Sequence, residues 1–176
     1  MFTATRVPQP PQERPTMPVG TLPRQQASLS CGTVSYLRHG AGPPLLLVHG
    51  IPTSARLWEP LLGTLGRHFD CIVPDLLGMG RSRPAPHADL SSPGQAAMFA
   101  ELLDALGIDE TLLVLHDQGG SHGQQFMVRS PERIRAVAFR RAQDADAEGL
   151  PAAADRGARQ AARQHDRRLV LRARHR

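Results

Sequence analysis

The stretch Val114-Leu115-His116-Asp117-Gln118-Gly119-Gly120 joins a predicted strand, Thr111 to Leu115, to a predicted helix, Gly120 to Arg129. A sharp strand-to-helix turn lifts its tip residue above the C-terminal end of the strand. Such a turn needs a small residue two positions later, and Gly119 supplies it. The residue at the tip is Asp117. The backbone N–H of Gln118 is then expected to point into the site, beside a helix N-terminus, where developing negative charge is stabilised. Aspartate is also a common helix N-cap, so a capping Asp117 is the rival reading.

Working outward, two further segments follow predicted strands. His49-Gly50-Ile51-Pro52-Thr53-Ser54 comes straight after Leu45-Leu46-Leu47-Val48. Gly50 permits a close backbone approach, Pro52 stiffens the turn, and the N–H of Ile51 can serve as a second oxyanion donor. Asp75-Leu76-Leu77-Gly78-Met79-Gly80-Arg81-Ser82 follows Cys71-Ile72-Val73. The remaining elements are read from period and punctuation. Ser28 to His39 reads as two strands around Cys31-Gly32, and 40–44 as a turn. Thr53 or Ser54 caps a helix to about Leu65, with Trp58, Leu61, Leu62 and Leu65 on one face. Residues 76–86 form a loop, Ser91 or Ser92 opens a helix that Gly107 stops, and Ile134 to Phe139 is a strand. Short apolar strands alternating with helices predict an α/β fold, a doubly wound and mostly parallel sheet covered on both faces.

The flanks differ in character. Residues 1–27 are dense in proline and are expected to be a disordered arm, with Met17 as a possible true start. Residues 28–139 form the expected domain. Residues 140–176 hold ten alanines and ten arginines in 37 positions, and Leu169-Val170-Leu171 is their one apolar cluster. That composition suits a solvated basic tail or the product of a shifted reading frame. The formal charge of +5 belongs to this segment alone, since residues 1–139 carry eleven arginines and eleven acids. With no accompanying motif, the charge does not argue for nucleic acid. Cys31 and Cys71 lack metal-ligand spacing. No apolar run approaches membrane-spanning length, so no membrane partner is expected. Nor is there an apolar signal region, and the cytoplasm is the expected compartment.

Taken together, the three loop segments resemble the α/β-hydrolase superfamily, in its branch with an aspartate nucleophile. Pro52-Thr53-Ser54, Leu57-Trp58, Asp75 to Ser82 and His116-Asp117 are similar to haloalkane dehalogenases and their epoxide hydrolase relatives. The likeness covers about residues 28–139, an N-terminal half that stops before the cap and the last strands. It implies Asp117 as nucleophile, Ile51 and Gln118 as oxyanion hole, and His49, Gly50, Pro52, His116 and Gly119 as supporting residues. A carboxylate suits displacement at a saturated carbon, because the product is an ester that water can cleave later. The implied substrate is a small apolar molecule with an electrophilic carbon, an alkyl halide or an epoxide. No metal or organic cofactor is implied, because water is the second reactant.

The sequence departs from that pattern in places. Dehalogenases usually carry Asn where Ile51 stands and Trp where Gln118 stands, both halide donors. Ile51 has no side-chain donor, whereas the Gln118 amide has one. Epoxide opening usually uses cap tyrosines, and the single tyrosine here is Tyr36. His116 is expected to pack the elbow, His49 to be structural, and His122 to lie on a surface or in the core. His165, His175, Asp144 and Asp146 sit in the arginine-rich segment, without the strands that should precede a base or its orienting acid. The chain is therefore expected to form an alkyl-enzyme without releasing it. The alternative is a degenerate, non-catalytic scaffold that binds a partner.

Overall fold

Leu45-Leu46-Leu47-Val48 is apolar at every position because both faces of its strand are covered. Leu45 and Leu47 enter one core with Trp58 and Leu62, whereas Leu46 and Val48 enter another with Phe99, Leu102 and Phe126. Side chains alternate across a strand, so a run without polar residues marks a sheet sandwiched between helices. The computed structural model describes residues 22–140 and 171–172.

In chain order the strands are β1 (Arg24–Leu29), β2 (Gly32–Gly40), β3 (Pro44–Val48), β4 (Asp70–Pro74), β5 (Arg83–Pro84), β6 (Thr111–His116), β7 (Ile134–Arg140) and β8 (Leu171–Arg172). The helices are α1 (Glu59–Leu65), α2 (Ser92–Ala105) and α3 (Gly119–Arg129). The sheet order is β1-β2-β4-β3-β6-β7-β8, with β5 paired to β2. β3 pairs in parallel with β4 and with β6, and β6 in parallel with β7. β1 and β2 form an antiparallel margin. α1 covers one face, while α2 and α3 cover the other, so the expected doubly wound, mostly parallel sheet is the observed fold.

Three local expectations need correction. The helix after Ser54 begins as a 3-10 turn, Ala55–Trp58, capped by the Ser54 hydroxyl, and becomes α-helical only at Glu59. A 3-10 turn advances three residues per turn against 3.6 in an α-helix, so the apolar face rotates between the two segments. Trp58 and Leu62 stay buried, but Leu61 is 39% exposed instead of sharing their face. Second, the expected loop at 76–86 contains β5, which pairs with Gly32 and Thr33. Third, the expected arm of residues 1–27 overlaps β1, whose residues Arg24 to Leu29 pair with β2, and at the opposite margin Ala136 and Val137 of β7 pair with Arg172 and Leu171 of β8. Phe139, near the end of β7, is 41% exposed. The expectations for residues 1–21 and for the rest of the arginine-rich segment lie outside the described residues.

The surroundings of both cysteines disfavour the thiolate. Burial and the neighbouring Asp70 push the Cys71 thiol up to about 12, and burial followed by Glu101 raises that of Cys31. No helix among the described residues is long and apolar enough to cross a membrane.

Candidate active site

The elbow is built by close packing at the C-terminal ends of β3 and β6. A Cβ on Gly119 would lie 2.5 Å from the His49 carbonyl oxygen, and one on Gly123 would collide with the Leu115 side chain. Glycine at 119 lets α3 start directly against the end of β3, and glycine at 123 lets it lie close over Leu115 of β6. Asp117 has φ of 52°, the one positive value for a non-glycine residue among those described. Few residues adopt this left-handed conformation, and aspartate is among those that tolerate it best. The N-cap position of α3 belongs to Gln118, with φ of −63°. Asp117 therefore precedes the cap, and its carboxylate turns to the neighbouring loop. The N–H of Ile51 donates to Asp117 Oδ2 at 3.1 Å. A Cβ on Gly50 would sit 2.5 Å from that same oxygen, so only glycine lets the loop come this close.

The loop holding Ile51 is fixed from behind. Thr53 N–H donates to the Gly50 carbonyl at 3.1 Å, and the Thr53 hydroxyl donates to it at 2.8 Å. His49 is fully buried, and its Nε2 accepts from the Leu76 N–H at 3.0 Å. That bond places the imidazole proton on Nδ1, 2.9 Å from the Gly50 carbonyl. Both ring nitrogens are thus occupied in tying the Ile51 loop to the Asp75 loop. His116 is buried beneath the elbow, edge-on to Trp58 with centroids 6.3 Å apart. His122 is buried between helices, with Nδ1 2.9 Å from the Ser92 hydroxyl. Tyr36 lies on β2, three strands from β6, and its hydroxyl donates to Gln25 Oε1 at 2.9 Å. The structure thus brings Ile51, Gly50, Asp117 and Gly119 together and turns the three buried histidines to packing. His165, His175, Asp144 and Asp146 lie outside the described residues.

Sequence reasoning located the Asp75 loop without its central role. Asp75 is fully buried. Its Oδ1 accepts from Ala55 N–H at 2.7 Å, and its Oδ2 from Arg24 at 2.6 Å and from Arg81 N–H at 2.8 Å. The Ser82 hydroxyl closes the loop by donating to the Asp75 carbonyl at 2.7 Å. The spacing of Asp75, Gly78, Gly80 and Ser82 was the available signal. A Cβ on Gly80 would collide with the Asp75 carboxylate, so that glycine marks where the loop folds back onto the acid.

A protein-family model described as alpha/beta hydrolase fold matches residues 43–173. The chain belongs to that family. It is 36% identical over 127 residues to a haloalkane dehalogenase of Mesorhizobium japonicum, covering 71% of this chain and 41% of that protein. It is likewise 36% identical over 106 residues to a haloalkane dehalogenase of Agrobacterium fabrum, covering 60% and 34%. Among solved structures, the epoxide hydrolase CorEH superposes with a TM-score of 0.64 at 29% identity, covering 67% of this chain and 41% of that one. The N-acyl homoserine lactonase AidH gives a TM-score of 0.63 at 30% identity, covering 68% and 44%. This α/β hydrolase thus spans less than half the length of the relatives it matches.

Acid sensitivity follows from the buried rings. Burial is the largest cause holding His49, His116 and His122 below the ordinary imidazole value of 6.5. Arg140 lowers His116 further, and His49 does the same to His122. As pH falls, the unfolded chain takes up these protons first. The stabilisation they contribute is therefore complete above 6.5 and is lost as pH drops through 6.5 toward the lowered folded values. Thermal melts between about pH 8 and pH 5 are expected to give a level Tm at the alkaline end and a falling one below 6.5. A Tm that rises over the acidic half would contradict neutral burial of these rings.

Proposed function

We propose that Asp117 is the nucleophile of a hydrolase acting on small apolar molecules with an electrophilic saturated carbon, of the alkyl halide or epoxide type. The observation that carries the proposal is the left-handed Asp117, with Oδ2 held by the Ile51 N–H at 3.1 Å. Oδ1 receives no hydrogen bond among the described residues and is the oxygen that attacks. It forms a C–O bond as the carbon–halogen bond breaks and the halide leaves with the electron pair. With an epoxide, the C–O bond of the ring breaks instead and the alkoxide takes a proton from solvent water, leaving hydroxide. The product in either case is an aspartyl ester. The Ile51 N–H, which donates to Oδ2, stabilises negative charge on that ester oxygen when water later attacks it, with the Gln118 N–H as the second donor in this reading. The names of the relatives, haloalkane dehalogenase and epoxide hydrolase, support this reading.

Between the two substrate types, the site favours the halide. Gln118 is exposed beside the nucleophile and its side-chain amide can donate to a leaving halide. Ile51, 47% exposed, lends apolar surface in place of a second donor.

The test is an intact-mass time course of the 176-residue protein with a short primary alkyl bromide and, separately, a small terminal epoxide. The expected result is one alkyl group per chain, mapped by peptide sequencing to Asp117, with no alcohol or diol released beyond that first equivalent. No adduct from either reagent would overturn the proposal. Sustained product release would overturn the single-turnover expectation. Gly50→Ala should slow adduct formation by about 100-fold, because the new methyl displaces the carboxylate by about an ångström. A Gly50→Ala rate within twofold of the parent would show that the Ile51 loop does not position Asp117.

A further inference from the structure

Asp75 organises more than the loops beside Asp117. A cavity of about 360 Å³ is lined by Leu22, Arg24, Arg56, Glu59 and Arg81, and two of these, Arg24 and Arg81, bond this carboxylate. Three arginines thus line one space with a single lining carboxylate, Glu59. Two of them bond the buried acid directly, and the third sits one residue from another of its donors. Arg24 is ion-paired to Asp75 Oδ2 and only 13% of its side chain is exposed. Arg81 has its own backbone N–H on Oδ2, and Arg56 follows Ala55, whose N–H is on Oδ1. Among the described residues neither Arg56 nor Arg81 forms an ion pair. Arg56 and Arg81 thus bring two cations without ion pairs to a cavity whose other charged lining residues are Arg24, held by Asp75, and Glu59. Asp117, Ile51 and Gln118 do not line this cavity, so it is separate from the nucleophile.

We infer that this cavity is a binding site for a small multivalent oxyanion of phosphate or carboxylate chemistry. Guanidinium forks match both groups through paired N–H···O bonds. The volume lies at the small end of the range for ligand pockets, which runs from about 300 Å³ upward. Arg56 and Arg81 are exposed enough to close over the ligand, while Arg24 forms the floor. Because Arg24 is shared with Asp75, an anion that draws on Arg24 acts on the acid whose loop His49 ties to the Ile51 loop.

Isothermal titration of the full chain at low ionic strength tests the site, with pyrophosphate and citrate as the two probes. Saturable one-to-one binding of either is expected, and whichever saturates at the lower concentration identifies phosphate or carboxylate as the source. Arg56→Ala with Arg81→Ala should weaken that binding by about tenfold per arginine removed. Arg67→Ala with Arg129→Ala, two exposed arginines outside the cavity, should leave it unchanged. The inference is overturned if neither probe saturates. It is also overturned if the cavity variant binds as the parent does, or if the control pair loses as much as the cavity pair. Alkylation of Asp117 is a separate readout, so failure of either proposal leaves the other measurable.

Discussion

Asp117→Asn is expected to abolish the covalent adduct, lowering its rate of formation by a factor on the order of 10⁴ or more, the scale seen when a catalytic nucleophile is removed. The substitution leaves shape and backbone nearly untouched. Asparagine accepts the left-handed conformation that φ of 52° demands, so the elbow should survive. The Ile51 N–H still finds an amide oxygen where Oδ2 stood. What disappears is the charge, and a neutral amide is a far weaker nucleophile toward saturated carbon. Asp117→Ala is the less clean variant, because alanine in a left-handed position adds strain of about 1 kcal/mol. The check is an intact-mass time course with the alkyl bromide beside a thermal melt. An Asp117→Asn protein that melts like the parent and carries no adduct meets the expectation. One that still gains a single alkyl group places the nucleophile elsewhere.

Asp75→Asn is expected to cost about 3–5 kcal/mol of stability, as breaking one member of a buried ion pair does. Three donors converge on this carboxylate, from Arg24, Ala55 and Arg81. An asparagine can keep one acceptor, but its amide nitrogen then faces donors and leaves a guanidinium charge buried beside it. Domains of this kind hold only about 5–15 kcal/mol in all, so the loss should be plain in a urea titration. Replacing Arg24 by Met together with Asp75 by Ala should recover part of it, since the unpaired charge goes while the Ala55 and Arg81 N–H groups stay unsatisfied. A midpoint shift equivalent to under about 1 kcal/mol for Asp75→Asn would show that water reaches the carboxylate and shares its role.

The parallel sheet was legible because the runs Leu45–Val48 and Thr111–Leu115 had to be apolar on both faces. The elbow was legible because small residues recur where a helix start meets a strand end. The misplaced face of Leu61 was not, since nothing local marks where a 3-10 turn becomes an α-helix. Strand β5 was hidden because two residues, one of them proline, carry no periodic signal. The role of Asp75 was out of reach because its partners come from positions 51, 20 and 6 residues away.

The sequence by itself determined the fold class, the order of its strands and helices, and Asp117 as the residue at the tip of the turn. Those properties depend on residue type and short-range spacing, which a linear chain displays directly. Only the tertiary structure decided that Asp117 is turned to the Ile51 N–H and does not cap α3. It also decided that His49 is bonded at both ring nitrogens and that one buried carboxylate accepts from Arg24, Ala55 and Arg81. These are relations between groups far apart in the chain. They exist only once the sheet has brought the ends of β3, β4 and β6 side by side and excluded water from between their loops.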